Sequence, residues 1–556
     1  DKESKIVFQG DKVIEKAAEL LQRGFIVAIK GIGGFHLMCN AINEEAVAAL
    51  RIRKKRPKKP LAVMFATMSH LCEYLSPNEP EKELLNSKER PIVLVKNGNN
   101  PLAPTIAPDI DTVGAMIAYA PLHHLLFDHV SFPLVATSAN RSDEPIIRNA
   151  QELHEHLGDI VDFIVDFDRE IVNAVDDSIV QMVQERRTTL RLGRGYAPYS
   201  LNHSSSTELK ILAVGAQQKN SIGVSYEDKM ILSPHIGDIH GIDAMEYFQR
   251  SVETFKRFYD FEPDVIVCDK HPEYFTTYWA KSQGVKIIEV QHHYAHALAC
   301  MAEFELKEDV LAFCFDGTGY GDDGTIWGGE IFIANITKYE RIGHLKPFRL
   351  LGGEKAIKEP KRVALALLFE MYTLEEIREL NLPFLDTFKS NEIALYHTVW
   401  EKGINAPLCS SMGRVFDALA SFCDILHENA YEGETGRRLE ELYIFDMDIC
   451  FDYTIAGGVI DLSIMIRHIV RLAQSKEYAS IATGFINTLV KIIEHYADDY
   501  SDLGIVFSGG VFQNKTLLSL CVKRLEAKGR KTYFQKRTPI NDGGIALGQL
   551  YYARSL

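Results

Sequence analysis

From Asp11 onward the apolar positions switch repeatedly between a helical and a strand period. EKAAELLQ and EEAVAALRIR repeat every three to four residues, whereas FIVAI, LAVMF, PIVLV, PLVAT and DFIVDF are short apolar runs, so the pattern predicts a mixed α/β unit. This unit closes near Tyr199, because LNHSSSTELK is the polar, Ser-rich kind of stretch that joins domains; the expected boundaries are a first domain over 1–200 and a linker over 201–209. A second α/β unit over 210–556 opens with the strand ILAV, the loop GAQQKN and two short strands, SIGVS and KMILS. About a hundred residues later VLAFCF, the loop DGTGYGDDG and TIWGGEIFI repeat that order, which predicts an internal duplication and a bilobal domain with a cleft between its halves. Residues 360–500 are largely helical in period. The end returns to strand GIVFSGG, helix NKTLLSLCVKRLEAKG, strand KTYF, a turn NDGG and a last helix.

A chain of 556 residues, at roughly 150 per domain, has room for several buried cores. With 46% hydrophobic and 25% charged residues it is an ordinary globular composition and not a disordered one. The net charge of −15 argues against a protein that holds nucleic acid across its whole surface. No apolar run reaches the length of about 18 residues that a membrane span needs. Nine cysteines stand singly without a CxxC pair, which fits a reducing, cytoplasmic setting. The opening DKESKIVFQG has no Met and no apolar signal segment and reads as a cut or processed beginning.

In the first unit the strand FIVAI runs into Lys30-Gly31-Ile32-Gly33-Gly34, where glycines let backbone N–H groups approach a phosphate and a lysine adds charge. On its own such a turn is more often only structural. Arg51, Arg53, Lys54, Lys55, Arg56, Lys58 and Lys59 follow within nine positions of an acidic chain, and can converge on a triphosphate as readily as they can form a solvated helix end. With Thr137-Ser138-Ala139-Asn140 and RLGRGYAP (191–198), the constellation resembles the YrdC/TsaC family over roughly residues 10 to 200. That resemblance implies a concave basic α/β surface that binds ATP and makes an acyl-adenylate from a carbonate-like acid. It implies nucleotide contacts from Lys54, Arg56, Lys59, Ser138 and Asn140, with Arg191 and Arg194 as further phosphate contacts.

In the second unit His292 and His296 stand at i, i+4, which on a helix places two imidazoles on one face, as a metal requires. Asp316 and Asp542, each at a strand end or turn, are candidate carboxylate partners. Lys219-Asn220 after GAQQ, Gly317-Thr318-Gly319 in the second loop, and Ser508-Gly509-Gly510 before a helix near Asn514 are three glycine-rich strand ends. On a duplicated fold they suggest an actin-like ATPase clamp. The strings QHHYAHALA, SSMGRVFDALASF, FSGGVFQN and NDGGIALGQ resemble the TsaD-like threonylcarbamoyl-transferring family. Together with KGIGGFHLMCNA, PLHHLLF and RGYAP they resemble, over nearly the entire chain, the HypF family of hydrogenase-maturation carbamoyltransferases.

The resemblance implies a YrdC-like domain followed by a bilobal TsaD-like domain, with metal ligands His292, His296, Asp316 and Asp542 and with Asp417 and Gly510 near a nucleoside. It implies ATP with Mg, one Zn or Fe ion, carbamoyl phosphate or carbamate as donor, and the C-terminal cysteine of HypE as acceptor. Arg56, Lys59, His292 and His296 are the residues expected to act in the chemistry. The family also carries an acylphosphatase-like domain and paired CxxC zinc fingers that this sequence lacks, which reads as truncation, and an arginine before Asp176-Asp177-Ser178 where this chain has Ala174. Two other readings remain. One is tRNA threonylcarbamoylation, against which the charge and the HHYAH and FQN strings weigh; the other is a non-catalytic ATP-dependent scaffold.

Overall fold

The computed structural model describes residues 6–10, 12–141 and 144–556. Nine strands build the first sheet: β1 (Val27–Lys30), β2 (Phe35–Asn40), β3 (Val63–Phe65), β4 (Ile92–Lys96), β5 (Thr112–Ile117), β6 (Leu134–Ser138), β7 (Phe163–Val165), β8 (Ile179–Val183) and β9 (Arg186–Arg191). Their order is β7-β1-β2-β6-β3-β5-β4-β8-β9. The short apolar runs have no polar alternation because both faces of this sheet are covered. Leu37, Val63 and Val135 face one buried cluster and Met38, Met64 and Leu134 the other. The helix Glu44–Lys54 lies on the first of these faces. It is capped by Asn43 and ends at Lys55 in the left-handed region, so the basic run turns sharply off the helix at Arg56.

The stretch expected as a linker is not one. Residues 201–209 lie inside β10 (Tyr199–Ala213), a long strand paired antiparallel with β11 (Gly223–Leu232). Polar serines suit this hairpin because its outer part is exposed, while Leu201 and His203 alternate inward. SIGVS and KMILS likewise form one strand, β11, and not two.

With β12 (Val265–Asp269) and β13 (Lys286–Val290) these make a sheet ordered β11-β10-β12-β13, a hairpin followed by two parallel strands. The second lobe contains β14 (Val310–Tyr320), β15 (Ile326–Ala334), β16 (Tyr339–Leu345), β17 (Phe348–Arg349), β18 (Leu408–Cys409), β19 (Thr454–Ala456), β20 (Val459–Asp461), β21 (Gly504–Ser508) and β22 (Thr532–Phe534). Its order is β19-β20-β16-β15-β14-β21-β22, with β17 and β18 paired beside β15. The run β15-β14-β21-β22 repeats β11-β10-β12-β13 strand for strand and direction for direction, which is the expected duplication. Among the described residues no helix is long and apolar enough to cross a membrane, and all nine cysteines are unpaired.

Two helices, His292–Glu303 and Ile545–Ala553, follow equivalent strands of the two repeats and pack against each other. They approach so closely that a Cβ on Gly548 would lie 2.0 Å from the Ala295 carbonyl oxygen. Gly548→Ala is therefore expected to force the helices apart at a cost of about 3 kcal/mol, visible as a lower unfolding temperature. An unchanged melting curve would contradict this contact.

The two domains are docked at several points. Arg186 pairs with Glu526 at 2.7 Å and Arg438 with Asp109 at 2.6 Å, and the Tyr247 hydroxyl donates to the Ala174 carbonyl at 3.0 Å. Ala174, where the resemblance leads one to expect an arginine, is thus buried at the domain junction.

Candidate functional site

In the first domain the basic run folds back on itself. Arg51 is buried and acts as a strut, donating to the carbonyls of Thr105, Arg56 (2.8 Å), Lys59 (3.2 Å) and Ile106 (3.1 Å), which shapes the loop that carries Arg56 and Lys59. Arg56 donates to the Lys59 and Pro60 carbonyls at 3.2 and 2.5 Å. Burial pushes its pKa down to about 10, with Arg51 and Arg191 adding repulsion, so positive charge is concentrated where an anion would neutralise it. Lys54 brings the expected Ser138 and Asn140 into the same place: its ammonium donates to the carbonyl oxygens of Ser138 (2.7 Å) and Asn140 (2.6 Å) and to Asn140 Oδ1 (3.0 Å).

Other expected contacts have different employment here. Lys30 pairs with Asp166 and donates to the Phe167 carbonyl, both at 2.9 Å. The glycines after it serve close packing, since a Cβ on Gly33 would meet the Val175 oxygen at 2.3 Å. Arg194 is a clamp, with Nε on Asp177 (2.5 Å), Nη1 and Nη2 on the Glu89 and Arg90 carbonyls (2.9 and 2.8 Å), and its plane 3.5 Å from the Tyr119 ring centroid. Arg191 gives Nε to the Asp177 carbonyl at 2.8 Å. Asp177 also accepts from His36 at 3.1 Å, a buried pair that no spacing in the sequence announces because its members stand 141 residues apart.

Burial, with Arg56 and Lys59 adding to it, pushes Lys54 down to about 7. A polyphosphate bound beside it favours the ammonium. Below pH 7 the proton is already present and affinity is level; above pH 7 binding must take a proton up, so affinity falls by up to about tenfold per unit. Calorimetric ATP titration at pH 8 in buffers of different ionisation enthalpy is expected to show proton uptake that Lys54→Arg removes. Buffer-independent heats would exclude it.

In the second domain four side chains converge. His292 and His296 project from one face of the helix His292–Glu303, whose N-cap is Gln291; Asp316 lies in β14, and Asp542 opens the turn Asp542–Gly544. One ligand atom from each lies within 4.8 Å of all the others, and all four residues are buried. His292 Nε2 stands 3.6 Å from Asp316 and 3.8 Å from Asp542, and His296 Nε2 3.8 and 3.4 Å from the same pair. Asp269, at the end of β12, accepts from His292 Nδ1 at 2.7 Å, leaving Nε2 directed at the two carboxylates without a hydrogen-bond partner. Both His296 nitrogens also lack one. Against burial, which lowers it, Asp269 and Asp542 hold His292 well above the usual imidazole range, and the two imidazoles hold Asp316 well below the usual carboxylate range. This cluster of orphaned imidazole nitrogens and carboxylates, with an outer carboxylate orienting one histidine, fits a divalent ion with borderline ligand preference, Zn or Fe(II).

The glycine-rich strand ends surround this cluster. Gly319 is pressed against His292 and His293, where a Cβ would fall 2.8 and 2.4 Å from their rings; Gly317 and the half-buried Thr318 precede it. Gly509 lies at φ +106° beneath Phe315, and the Gly510 N–H donates to Asp316 at 2.8 Å, which commits it to orienting the carboxylate. Lys219 pairs with Glu432, and Glu432, Asp542 and Asp238 raise its pKa against burial. Asn220 is fully buried and staples its own turn through the Val214 and Ala216 carbonyls (2.8 and 2.5 Å). Asn514 caps a helix by accepting from Leu517 N–H at 2.9 Å. Asp417 is paired with Arg414 at 2.6 Å and accepts from Thr435 at 2.7 Å.

The segments that carry the two sites touch each other. Tyr431 of the second domain lies close enough to Arg51 and Arg56 to influence both, and its neighbour Glu432 reaches Lys219 beside Asp542. Charges on Arg191, Asp176, Asp238 and Lys219 act on His235, whose backbone N–H donates to the Leu192 carbonyl at 2.7 Å and so ties it to the residue after Arg191.

Comparison with known proteins gives three family matches: Sua5/YciO/YrdC, described under telomere recombination, over residues 19–193; the HypF Kae1-like domain over 206–303; and the second subdomain of the carbamoyltransferase Kae1-like domain over 312–549. The carbamoyltransferase HypF of Synechocystis sp. is 37% identical over 99% of this chain and 74% of its own length; that of Rhizobium leguminosarum bv. viciae is 34% identical over 98% and 72%. A crystal structure of full-length HypF in a phosphate- and nucleotide-bound form superposes with a TM-score of 0.93 at 38% identity, covering 98% of this chain and 86% of that one. Fold and relatives together define a carbamoyltransferase in which a YrdC-type domain is joined to a bilobal Kae1-like domain. The chain belongs to the HypF family.

Proposed function

We propose that this carbamoyltransferase works in hydrogenase maturation in the cytoplasm, making carbamoyl-adenylate in its first domain and passing the carbamoyl group in its second to the C-terminal cysteine of HypE, as precursor of the cyanide ligands. A carbamate oxygen attacks the α-phosphorus of Mg-ATP, the bond to the bridging oxygen breaks, and pyrophosphate leaves. Arg56, Lys59, Arg191 and the Ser138–Asn140 turn braced by Lys54 would hold the phosphates and offset the charge that develops on the departing group. In the second step the thiolate sulfur attacks the carbamoyl carbon, the C–O bond to phosphate breaks, and AMP leaves. His292, His296, Asp316 and Asp542 would hold the Zn or Fe ion, which when bound supplies Lewis-acid polarisation of the carbonyl. Asp269 fixes the tautomer and angle of His292, and Gly510 N–H fixes Asp316. Lys219, the end of β14 at Gly317–Gly319 and the turn at Gly509 would face the nucleotide.

The observation that carries this reading is the contact between the segments that bear the two sites: next to Arg191, the Thr189 and Leu190 carbonyls accept from the Ile540 N–H (3.2 Å) and from Asn541 Nδ2 (3.0 Å), directly before Asp542. A mixed anhydride is destroyed by water, so two sites on touching segments suit an intermediate that must not escape. The test is incubation of the chain with ATP, Mg, ammonia, bicarbonate and a flexible peptide ending in cysteine. Mass spectrometry should find the carbamoyl mass on the thiol and AMP in equal amount. A peptide without added mass, in protein with both sites filled, would refute the transfer.

A further inference from the structure

The stretch leading to Asp542 has little secondary structure of its own and borrows its partners from two sides. On one side Glu303, at the end of the helix that carries His292 and His296, accepts from the N–H groups of Lys536 (2.9 Å), Arg537 (2.9 Å) and Thr538 (3.0 Å). On the other side is the first domain. Arg187 Nε and Thr189 Oγ1 in β9 donate to the Lys536 carbonyl at 3.0 and 2.9 Å, and the Ile540 N–H donates to the Thr189 carbonyl at 3.2 Å. Asn541 completes the strap. Its side chain is 1% exposed; Nδ2 donates to the Leu190 carbonyl (3.0 Å) and to Gln513 Oε1 (2.9 Å), while Oδ1 accepts from the Gly543 N–H (3.1 Å). One amide thus joins the strand that ends in Arg191, the turn after Gly509 and the turn that presents Asp542.

We propose that Asn541 is a positioning residue for Asp542, and that through it β9 of the first domain is a structural part of the second domain's metal centre. The inference rests on the reading of His292, His296, Asp316 and Asp542 as a metal set. Without the Asn541 amide the buried Leu190 carbonyl and Gly543 N–H lose their partner, and the turn that aims the Asp542 carboxylate loses its own tie across the junction, leaving only the strap bonds upstream at Lys536 and Ile540. Leu190 adjoins Arg191, so the expected nucleotide contact of one site and the expected ligand of the other are linked through a single buried side chain.

The test uses the full chain with Zn²⁺ and Co²⁺ as probes, read by competition with a chromophoric chelator and by the visible spectrum of the Co²⁺ form. Asn541→Ala is expected to weaken Zn²⁺ binding 10- to 100-fold, the range for an outer partner of a ligand, and to alter the Co²⁺ spectrum, with ATP binding governed by Arg56 within twofold of wild type. Asn541→Asp fills the same space but cannot donate to Leu190 or Gln513, and should behave alike. Thr189→Val removes a strap anchor from the first-domain side without touching a ligand, and should weaken Zn²⁺ binding several-fold. If the wild type binds Zn²⁺ and these variants, folded by circular dichroism, bind it within twofold as well, the positioning role is overturned and the metal reading stands. If the wild type binds neither ion, both fall together.

Discussion

Replacing His292 and His296 together by alanine is expected to strip the second domain of its metal and abolish carbamoyl transfer, while ATP–pyrophosphate exchange in the first domain continues. The separation is physical. The two imidazoles are fully buried, project from one helix face and supply half of a four-residue donor set. Neither is among the charges that act on Arg56 or Lys54. Losing an outer-shell partner typically costs 10- to 100-fold in affinity, so Asp269→Asn should fall in that range and the direct ligands beyond it. The fold should survive, because the removed groups face a polar cluster and not the apolar cores. Elemental analysis decides the point: full metal content in the double variant would show that the ion is held elsewhere.

The second large effect is expected at Arg56. Wild-type chain should bind two ATP equivalents, one at each site, and Arg56→Ala should leave one. A charge-assisted hydrogen bond contributes about 1.5–3 kcal/mol, so affinity at the first site should drop roughly 10- to 100-fold, with pyrophosphate exchange falling at least as far. Arg51 could not substitute, because its guanidinium is engaged by four backbone carbonyls that hold the loop in shape. Arg51→Ala should lower stability as well as binding, whereas Arg56→Ala, which gives up two carbonyl contacts within its own loop, should lower binding far more than stability. A single equivalent in the wild type at saturation would count against two sites.

Much of the architecture is legible in one dimension. Periods of 2 and 3.6 residues mark the strands and helices, and the repeated strand-loop-strand order marks the duplication that β11-β10-β12-β13 and β15-β14-β21-β22 display. The i, i+4 spacing of His292 and His296 is enough to put both on one helix face, since that geometry is local. The Ser-rich stretch is where local reading fails. Composition reports that its side chains meet water, which an exposed hairpin satisfies as well as a linker does; only pairing with β11 distinguishes them.

Sequence alone also determined which residue types were available to each site, and the resemblance assigned most of them to nucleotide or metal. Tertiary structure decided which of their atoms remain free. Arg194 and Lys30 are strong anion donors by type, yet Asp177 with two carbonyls occupies one and Asp166 with a carbonyl the other. Asn220 spends its amide on its own turn, Asn514 uses its oxygen to cap a helix and its NH2 on the Gly436 carbonyl, and Gly510 gives its N–H to Asp316. Asp269 and Asn541, silent as motifs, become the partners that orient His292 and the turn of Asp542. The physical reason is that a buried polar group must find a partner wherever the fold brings one, and for Arg194, Lys30, His292 and the Asn541 amide those partners lie tens to hundreds of residues away, beyond any period a chain can carry.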